Sequence, residues 1–158
     1  MQQIGSLPLI YDRPLGFYKD LFSTLAAPDL DSLAGTYRGE FVGPGWFRTV
    51  FVPVSLTIGG LHGWWGKQFH GPARGINIVS RHGGLQRIVP VTLDYEPSRI
   101  DGKPCLGLHY PAGSPLPWVW TVDEFRRLDD TTLLALSTFV PRWVPRVGLP
   151  FLLHKVTG

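Results

Sequence analysis

The clearest pattern along the chain is an alternation of apolar and polar residues. In residues 35–42, Tyr37 and Phe41 fall on one face of an extended segment, and polar side chains such as Arg38 fall on the other. This period of two is typical of a half-buried β-strand. Similar strand-like patterns recur at residues 63–70, 75–80, 85–93, 105–110, 118–128, 131–140 and 151–156. The chain is therefore predicted to be mainly β, with about eight short strands.

Turn-forming residues separate these segments, as in Arg81–Gly84 and at Asp101-Gly102. Short turns of this kind join antiparallel strands. We expect an antiparallel up-and-down β-barrel, lipocalin-like, because closure removes the exposed edges of a sheet. A barrel of about eight strands is either filled by its own side chains or holds one small ligand. No internal repeat is visible, which disfavours a propeller or a solenoid.

Residues 14–26 carry the clearest helical pattern, with apolar side chains recurring at helical spacing after a proline that suits a first turn. We expect an N-terminal helical cap in residues 1–28, which closes one end of a single β-barrel domain in residues 29–158. A gate or a membrane-surface contact is the alternative role for this helix. Residues 43–62 are apolar and interrupted by a proline, and this pattern predicts a helical or irregular segment.

The composition favours a folded domain that is rich in aromatic side chains. Hydrophobic residues make up 44% of the 158 residues and charged residues only 17%, a balance too apolar for a disordered chain. The 19 glycines and 15 prolines cut the chain into short elements, which disfavours a helix bundle. No apolar run approaches the ~18 residues of a transmembrane helix, so stable membrane insertion is not expected. The N-terminal residues also lack the pattern of a signal peptide.

The charge pattern and the cysteine content bear on partners and location. The net charge is +3 and the isoelectric point is about 9.2. A basic chain can bind nucleic acid, but the basic residues here are scattered, so no nucleic-acid partner is expected. The single cysteine, Cys105, permits no internal disulfide, which favours a cytoplasmic location. A homodimer remains an open possibility at this stage.

Three segments carry a resemblance to known proteins. Residues 29–39, which contain Gly35-Thr36-Tyr37, look like the start of a calycin barrel, although Tyr37 stands where tryptophan is usual. Residues 64–69 (Trp-Trp-Gly-Lys-Gln-Phe) and residues 123–134 strengthen a similarity to uncharacterised bacterial proteins with a Gly-x-Trp-x-Gly signature. This resemblance implies a lipocalin-like barrel. It brings no established catalytic residues to this chain.

Several side chains have the chemistry for acid–base work. In residues 118–127, each face of the predicted strand carries an acid and a base, so either Asp123 or Glu124 points inward and needs a partner. An arginine two residues along, or one across the sheet, is the expected partner, either in a structural salt bridge or as the polar anchor of a ligand. An inward lysine beside aromatic rings would have a lowered pKa. The candidate catalytic residues are therefore His109, Tyr110, Asp123, Glu124 and Lys67.

No metal or cofactor is predicted. The five histidines form no zinc-binding motif, and no nucleotide-binding fingerprint is present. Cys105 lies in an apolar strand and is expected to be an inert core thiol.

The aromatic surplus suggests a function. We expect the barrel to bind a hydrophobic small molecule, since a solid core of this size does not need six tryptophans. The side chains expected to include the lining of the pocket are Trp46, Trp65, Phe69, Trp118, Trp120 and Trp143. The alternatives are a cofactor-free isomerase, cyclase or dehydratase that uses the same pocket, and a structural barrel filled by its own rings. The identity of the ligand and the reaction are beyond the sequence.

Overall fold

A computed structural model of the chain describes residues 10–71, 73–141, 143 and 148–157. Eight antiparallel strands form a closed barrel in which each strand pairs with its neighbours in the sequence. The strands are β1 (Gly35–Phe41), β2 (Trp64–Phe69), β3 (Arg74–Arg81), β4 (Gly84–Pro97), β5 (Pro104–His109), β6 (Thr121–Arg127), β7 (Thr132–Phe139) and β8 (Leu149–Lys155). The predicted up-and-down β-barrel is confirmed.

The first and last strands close the barrel. β1 pairs with β8 in an antiparallel register that runs from Tyr37 opposite Lys155 to Phe41 opposite Phe151. Closure leaves no unpaired edge along the sheet, as the alternating pattern of the sequence predicts. Within the described residues, no helix is long and apolar enough to cross a membrane.

Side chains of the regular strand segments alternate between the interior and the outside of the barrel. In β7, Leu133 and Ala135 belong to the interior cluster, whereas Leu134 and Leu136 belong to a second cluster on the outer face. The interior cluster consists of Leu33, Tyr37, Phe69, Val91, Leu93, Leu106, Leu108, Phe125, Leu133, Ala135, Phe151 and Leu153. This cluster fills the half of the barrel that is farther from residues 47–58.

The N-terminal helix, α1 (Leu15–Ser23), packs against the outer wall of the barrel. Its apolar face meets the outward side chains of β7 and β8. The buried Arg126 side chain anchors α1, because its Nη1 donates to the Phe22 carbonyl oxygen at 2.8 Å and pairs with Asp101. The predicted position of this helix over one end of the barrel is therefore wrong. The 28/29 domain boundary stays a prediction.

A different segment covers an end of the barrel. A π-helical turn (Phe47–Phe51) leads directly into helix α2 (Val52–Ile58), and both lie between β1 and β2. Side chains of these two elements face the ends of β6, β7 and β8 across a cavity. We call residues 47–58 the lid, and the end of the barrel that they cover the mouth. The prediction of a helical or irregular segment over residues 43–62 is confirmed.

A β-bulge in β2 changes which tryptophan faces inward. The register between β2 and β3 shifts between Trp64 and Gly66. The shift places Trp64 in the interior, where its ring contacts those of Phe41 and Phe151. Trp65 lies on the outer side, where its ring is 5.5 Å from the Arg38 guanidinium. Trp65 was expected in the lining of the pocket and lies on the outer wall instead.

The sixth strand is shorter than the sequence pattern predicts. Residues 118–120 form a turn of 3₁₀ helix, and β6 begins only at Thr121. The peptide bond between Leu116 and Pro117, just before this turn, is cis.

The position of the Trp64 ring depends on a glycine in the facing strand. A Cβ atom at Gly39 would lie 2.1 Å from the Trp64 ring. Because the ring is held between two phenylalanines, we expect Gly39→Ala to lower the free energy of unfolding by about 1–3 kcal/mol. The control is Gly84→Ala in β4, where a Cβ would meet nothing within 4 Å. Urea unfolding followed by tryptophan fluorescence measures both variants. Equal stabilities would show that the close contact has no energetic consequence.

Candidate functional site

Three ionisable side chains from different parts of the barrel meet in its interior. The Lys67 Nζ atom lies 3.6 Å from the Asp123 Oδ2 atom and 3.2 Å from the Tyr110 hydroxyl oxygen. The Tyr110 hydroxyl donates to the same Asp123 oxygen at 3.1 Å. Strand β2 supplies the lysine and β6 the aspartate, while the tyrosine directly follows β5. The closed barrel therefore brings together residues that are far apart in the sequence.

Two further polar side chains complete this polar cluster. Lys67 Nζ donates to the Asn77 side-chain oxygen at 2.7 Å, and the Ser137 hydroxyl donates to Asp123 Oδ1 at 2.7 Å. The Asn77 amide donates in turn to the Val89 carbonyl oxygen at 3.0 Å. Every oxygen of the Asp123 carboxylate thus has a donor, which is what a buried charge requires. We use the name polar cluster for Lys67, Asn77, Tyr110, Asp123 and Ser137.

Burial strengthens the electrostatic interactions among the side chains of the polar cluster. Only 1% of the surface of Lys67 and 2% of that of Asp123 is exposed. Burial lowers the pKa of the Lys67 amine below its usual range, and the charge of Asp123 opposes part of that change. Burial and the neighbouring Asp123 charge also raise the pKa of Tyr110 well above its usual value, so the phenol keeps its proton.

A cavity of about 180 Å³ lies between the polar cluster and the lid. Its lining is almost entirely apolar and includes the rings of Phe41, Phe47, Phe51, Trp118, Phe139 and Phe151. A smaller space of about 40 Å³ shares part of this lining and reaches Lys67, Tyr110 and Asp123. The two spaces share the lining residues Phe41, Leu56, Trp118, Ser137 and Phe151, and we call them together the chamber, which has apolar walls and a polar inner end.

A molecule in the chamber meets hydrogen-bond donors and an acceptor at its inner end. Lys67 and Tyr110 carry N–H and O–H donors, and Asp123 carries an acceptor that can also take a proton. Such groups can bind a carbonyl or hydroxyl oxygen, and they can move a proton next to a carbonyl. Because Lys67 and Asp123 are almost fully buried, their interactions are stronger than they would be at the surface.

The structure unites three of the five predicted catalytic residues and separates the other two. Lys67, Tyr110 and Asp123 meet in the cluster. His109 lies on the outer face, where its ring pairs with Glu96. Glu124 also lies on the outer face, and its carboxylate accepts from the Ser98 hydroxyl at 2.5 Å and from the Arg99 backbone N–H at 2.7 Å.

The inward acid has a different partner from the one that the sequence pattern suggests. An arginine two residues along, or across the sheet, was the expected partner. Lys67 pairs with Asp123 instead, from the opposite wall of the barrel. Arg127 forms its ion pair with Asp130 in the turn that follows. Burial raises the pKa of Glu124, although its hydrogen bond from Ser98 works against this change.

The predicted aromatic lining is only partly at the cavity. Trp118 lines it, with its indole N–H donating to the Gly59 carbonyl oxygen at 2.8 Å. Phe69 is buried deeper, in the packed interior cluster. Trp65 is on the outer wall. The remaining three predicted rings, Trp46, Trp120 and Trp143, are exposed.

Sequence reasoning missed Asn77, Ser137 and Trp64. Asn77 stands alone in the apolar run Ile76–Val79, and an isolated amide in such a run signals a buried polar contact. Ser137 carries no comparable signal in the leucine-rich β7. Trp64 could have been placed only with knowledge of the bulge in β2.

The described residues contain no group of three or more His, Cys, Asp or Glu side chains that could hold a metal ion. Cys105 is buried beneath α1, and burial, followed by the charge of Glu124, raises its pKa to about 12. This thiol therefore stays protonated and has little nucleophilic character.

Comparisons with known proteins add information on the fold. No protein-family profile matches the chain, and no curated protein sequence matches it. A solved structure, described as the crystal structure of a protein from Thermomonospora curvata, superimposes with a TM-score of 0.68 at 19% sequence identity. The match covers 92% of this chain and 90% of that one. The likeness is one of fold. The resemblance to Gly-x-Trp-x-Gly proteins stays an expectation.

The buried ion pair makes a prediction about stability. Asp123→Leu leaves the buried Lys67 amine without its counter-charge, so we expect the free energy of unfolding to fall by about 3–5 kcal/mol. The double variant Lys67→Met/Asp123→Leu removes both charges and should recover more than half of that loss. Urea unfolding of the wild type and of both variants checks this. A double variant no more stable than Asp123→Leu would contradict it.

The stability of the Asp123→Leu variant should depend on pH. Loss of the Asp123 charge lowers the pKa of Lys67 further in the folded state, while the unfolded chain keeps the ordinary value. The unfolded state then binds more protons, so stability rises with pH up to about 10.4, the usual lysine value. In the double variant this rise should be absent.

Proposed function

We propose that the chain binds a small hydrophobic molecule in the chamber, with a carbonyl or hydroxyl oxygen of that molecule against the polar cluster. The observation that carries this proposal is the position of Lys67, Tyr110 and Asp123 at the inner end of an otherwise apolar cavity. Specific sites for small molecules commonly combine apolar walls with a few polar groups that fix orientation.

The size of the cavity limits the ligand. An apolar protein cavity of about 150 Å³ is large enough for benzene, and the cavity here measures about 180 Å³. One ring with a short substituent therefore fits without rearrangement. A larger ligand needs the lid to move away from the mouth. Outward movement of the lid would break its contacts with Trp118. It would also disturb the hydrogen bond that Trp118 donates to Gly59, the residue directly after α2.

A ligand oxygen would share donors that the polar cluster already uses. An ammonium group has three donors, and Lys67 faces Asn77, Tyr110 and, at 3.6 Å, Asp123. A ligand carbonyl that enters the small inner space can accept a shared hydrogen bond from the same ammonium group. A molecule of the same shape without an oxygen would gain no such bond and should bind more weakly.

A substitution on the lid tests the binding proposal. Ser55 faces the cavity, so Ser55→Leu should fill part of it and weaken binding at least about tenfold. Thr57→Leu changes the same helix on its exposed side and should leave binding unaltered. The probes are acetophenone, 2-acetylnaphthalene and, as the analogue without an oxygen, naphthalene. Quenching of tryptophan fluorescence measures the affinities.

Thermal unfolding provides a second readout for this test. A ligand present at about 100 times its dissociation constant stabilises the folded state by about 2.7 kcal/mol. For a domain of this size that corresponds to a rise in Tm of about 5–10 °C. If no ketone in a broad panel changes either the fluorescence or the Tm of the wild type, the binding proposal is wrong.

A second candidate function is cofactor-free proton transfer, as in an isomerase, cyclase or dehydratase. The observation that favours it is the pairing of a carboxylate with two donors at one point, 3.1 Å and 3.6 Å from the same Asp123 oxygen. Asp123 could take the proton next to a ligand carbonyl, while Lys67 and Tyr110 stabilise the negative oxygen that forms.

Hydrogen exchange of a bound ketone tests this second function. In D₂O, the wild type should exchange the methyl protons of 2-acetylnaphthalene faster than buffer does. Asp123→Asn and Tyr110→Phe should each lower that rate by about 10²–10⁴-fold. His109→Ala should not, because His109 points away from the chamber. NMR measures the exchange rate with the wild type and with each of the three variants. Exchange that is as fast with Asp123→Asn as with the wild type would exclude Asp123 as the base.

A further inference from the structure

The exposed apolar side chains are concentrated at the mouth. Ten of the fourteen exposed large hydrophobic residues in the described chain lie in the connections at that end. They are Trp46, Val50, Phe51, Val54, Ile58, Leu116, Val119, Trp120, Val140 and Trp143, and we call them the apolar rim. Their exposed fractions range from 37% to 73%. Exposed apolar patches of this kind mark interaction surfaces.

The apolar rim comes from three separate connections that surround one opening. The lid contributes one side, the residues before β6 a second and the residues after β7 a third. The rings of Trp120 and Trp143 contact each other with centroids 5.6 Å apart, so two of these connections touch. On the lid, the outward residues Val54 and Ile58 border a shallow groove. Two of the three connections of the rim are thus in direct contact.

The connections at the mouth lack acidic residues. Residues 42–63, 82–83 and 110–120 contain no aspartate or glutamate, and neither does the sequence 140–148 between β7 and β8. Arg48 lies in the first of these segments, and Arg81 lies at the mouth end of β3. The opposite end carries acids and bases together: Asp29, Asp31, Asp101, Asp129 and Asp130 with Arg74, Arg99, Lys103, Arg127 and Lys155. Near the mouth, the Asp12 carboxylate is 3.9 Å from Arg48, and Glu40 is one residue from the mouth end of β1.

We propose that the mouth end docks onto the surface of an anionic phospholipid bilayer, with the apolar rim at the boundary between headgroups and acyl chains. Tryptophan and aliphatic side chains favour this boundary, and arginines beside them favour anionic headgroups. The opposite end, which carries acids and bases together, then points away from the membrane. This inference rests on exposure and charge, so it does not depend on the proposed ligand.

The charge pattern favours a bilayer over a second copy of the chain. A symmetric dimer through the mouth would place the same surface against itself. The arginines of both copies would then lie in the same interface, where Asp12 already pairs with Arg48 and the mouth connections add no acid for Arg81. An anionic bilayer supplies negative charge to this surface.

Vesicle binding by the full chain tests the proposal. Sedimentation should show binding to vesicles of phosphatidylcholine with phosphatidylglycerol, weaker binding to phosphatidylcholine alone, and a decrease with added salt. The double variant Val54→Asp/Ile58→Asp should bind the anionic vesicles at least about tenfold more weakly. The matched control is Val156→Asp, a similarly exposed valine at the opposite end, and it should bind like the wild type.

A second measurement needs no variant. Brominated phosphatidylcholine in the anionic vesicles quenches only tryptophans that reach the acyl chains, so the rim tryptophans should lose emission when the wild type binds. The proposal is overturned if the wild type ignores anionic vesicles, if binding occurs without quenching, or if Val156→Asp loses as much affinity as the rim variant. It is also overturned if the wild type binds no vesicle and sediments as a dimer, while the Val54→Asp/Ile58→Asp variant sediments as a monomer.

Discussion

The buried pairing of Lys67 with Asp123 is the constraint on which the interior of this barrel depends. Neither charge could be buried alone without a cost of several kcal/mol, and each is held by neutral partners as well as by the other. The pair joins opposite walls of the barrel, so it requires β2 and β6 to face each other across the lumen. Below the pair the lumen is packed with apolar side chains, and above it the lumen is hollow.

This division accounts for the unusual use of aromatic residues. Below the polar cluster, rings such as Phe69 and Phe125 pack against each other with centroids 6.1 Å apart. Above the cluster, phenylalanines rather than tryptophans form most of the walls. Most of the indoles lie elsewhere, on the outer wall or around the mouth. A surplus of aromatic residues therefore signals two separate features here, an interior chamber and an exterior surface.

The β-periodicity was enough to predict the barrel, because strands with one buried face show a period of two. In β1 this period groups Tyr37 with Phe41 on the face that points inward, whereas β7 is buried on both faces and its inward face does not follow from the pattern. Local deviations were not predictable: the bulge at Trp64 reverses the parity of β2, and the 3₁₀ turn at residues 118–120 removes two tryptophans from a predicted strand. The pairing of Asp123 with Lys67 joins residues 56 positions apart, so only the closed barrel reveals it.

The lid takes part in both the proposed ligand binding and the proposed membrane docking. Helix α2 presents Val52 and Leu56 to the cavity and Val54 and Ile58 to the exterior, so it is apolar on both faces. A helix of this kind is normally found where both faces are covered. The cavity covers one face, and water covers the other at a cost that grows with the exposed apolar area. A surface that removes the outer face from water would offset this cost and would also bring the chamber next to a reservoir of hydrophobic molecules. The position of the lid therefore makes an apolar ligand and an apolar docking surface physically consistent with each other.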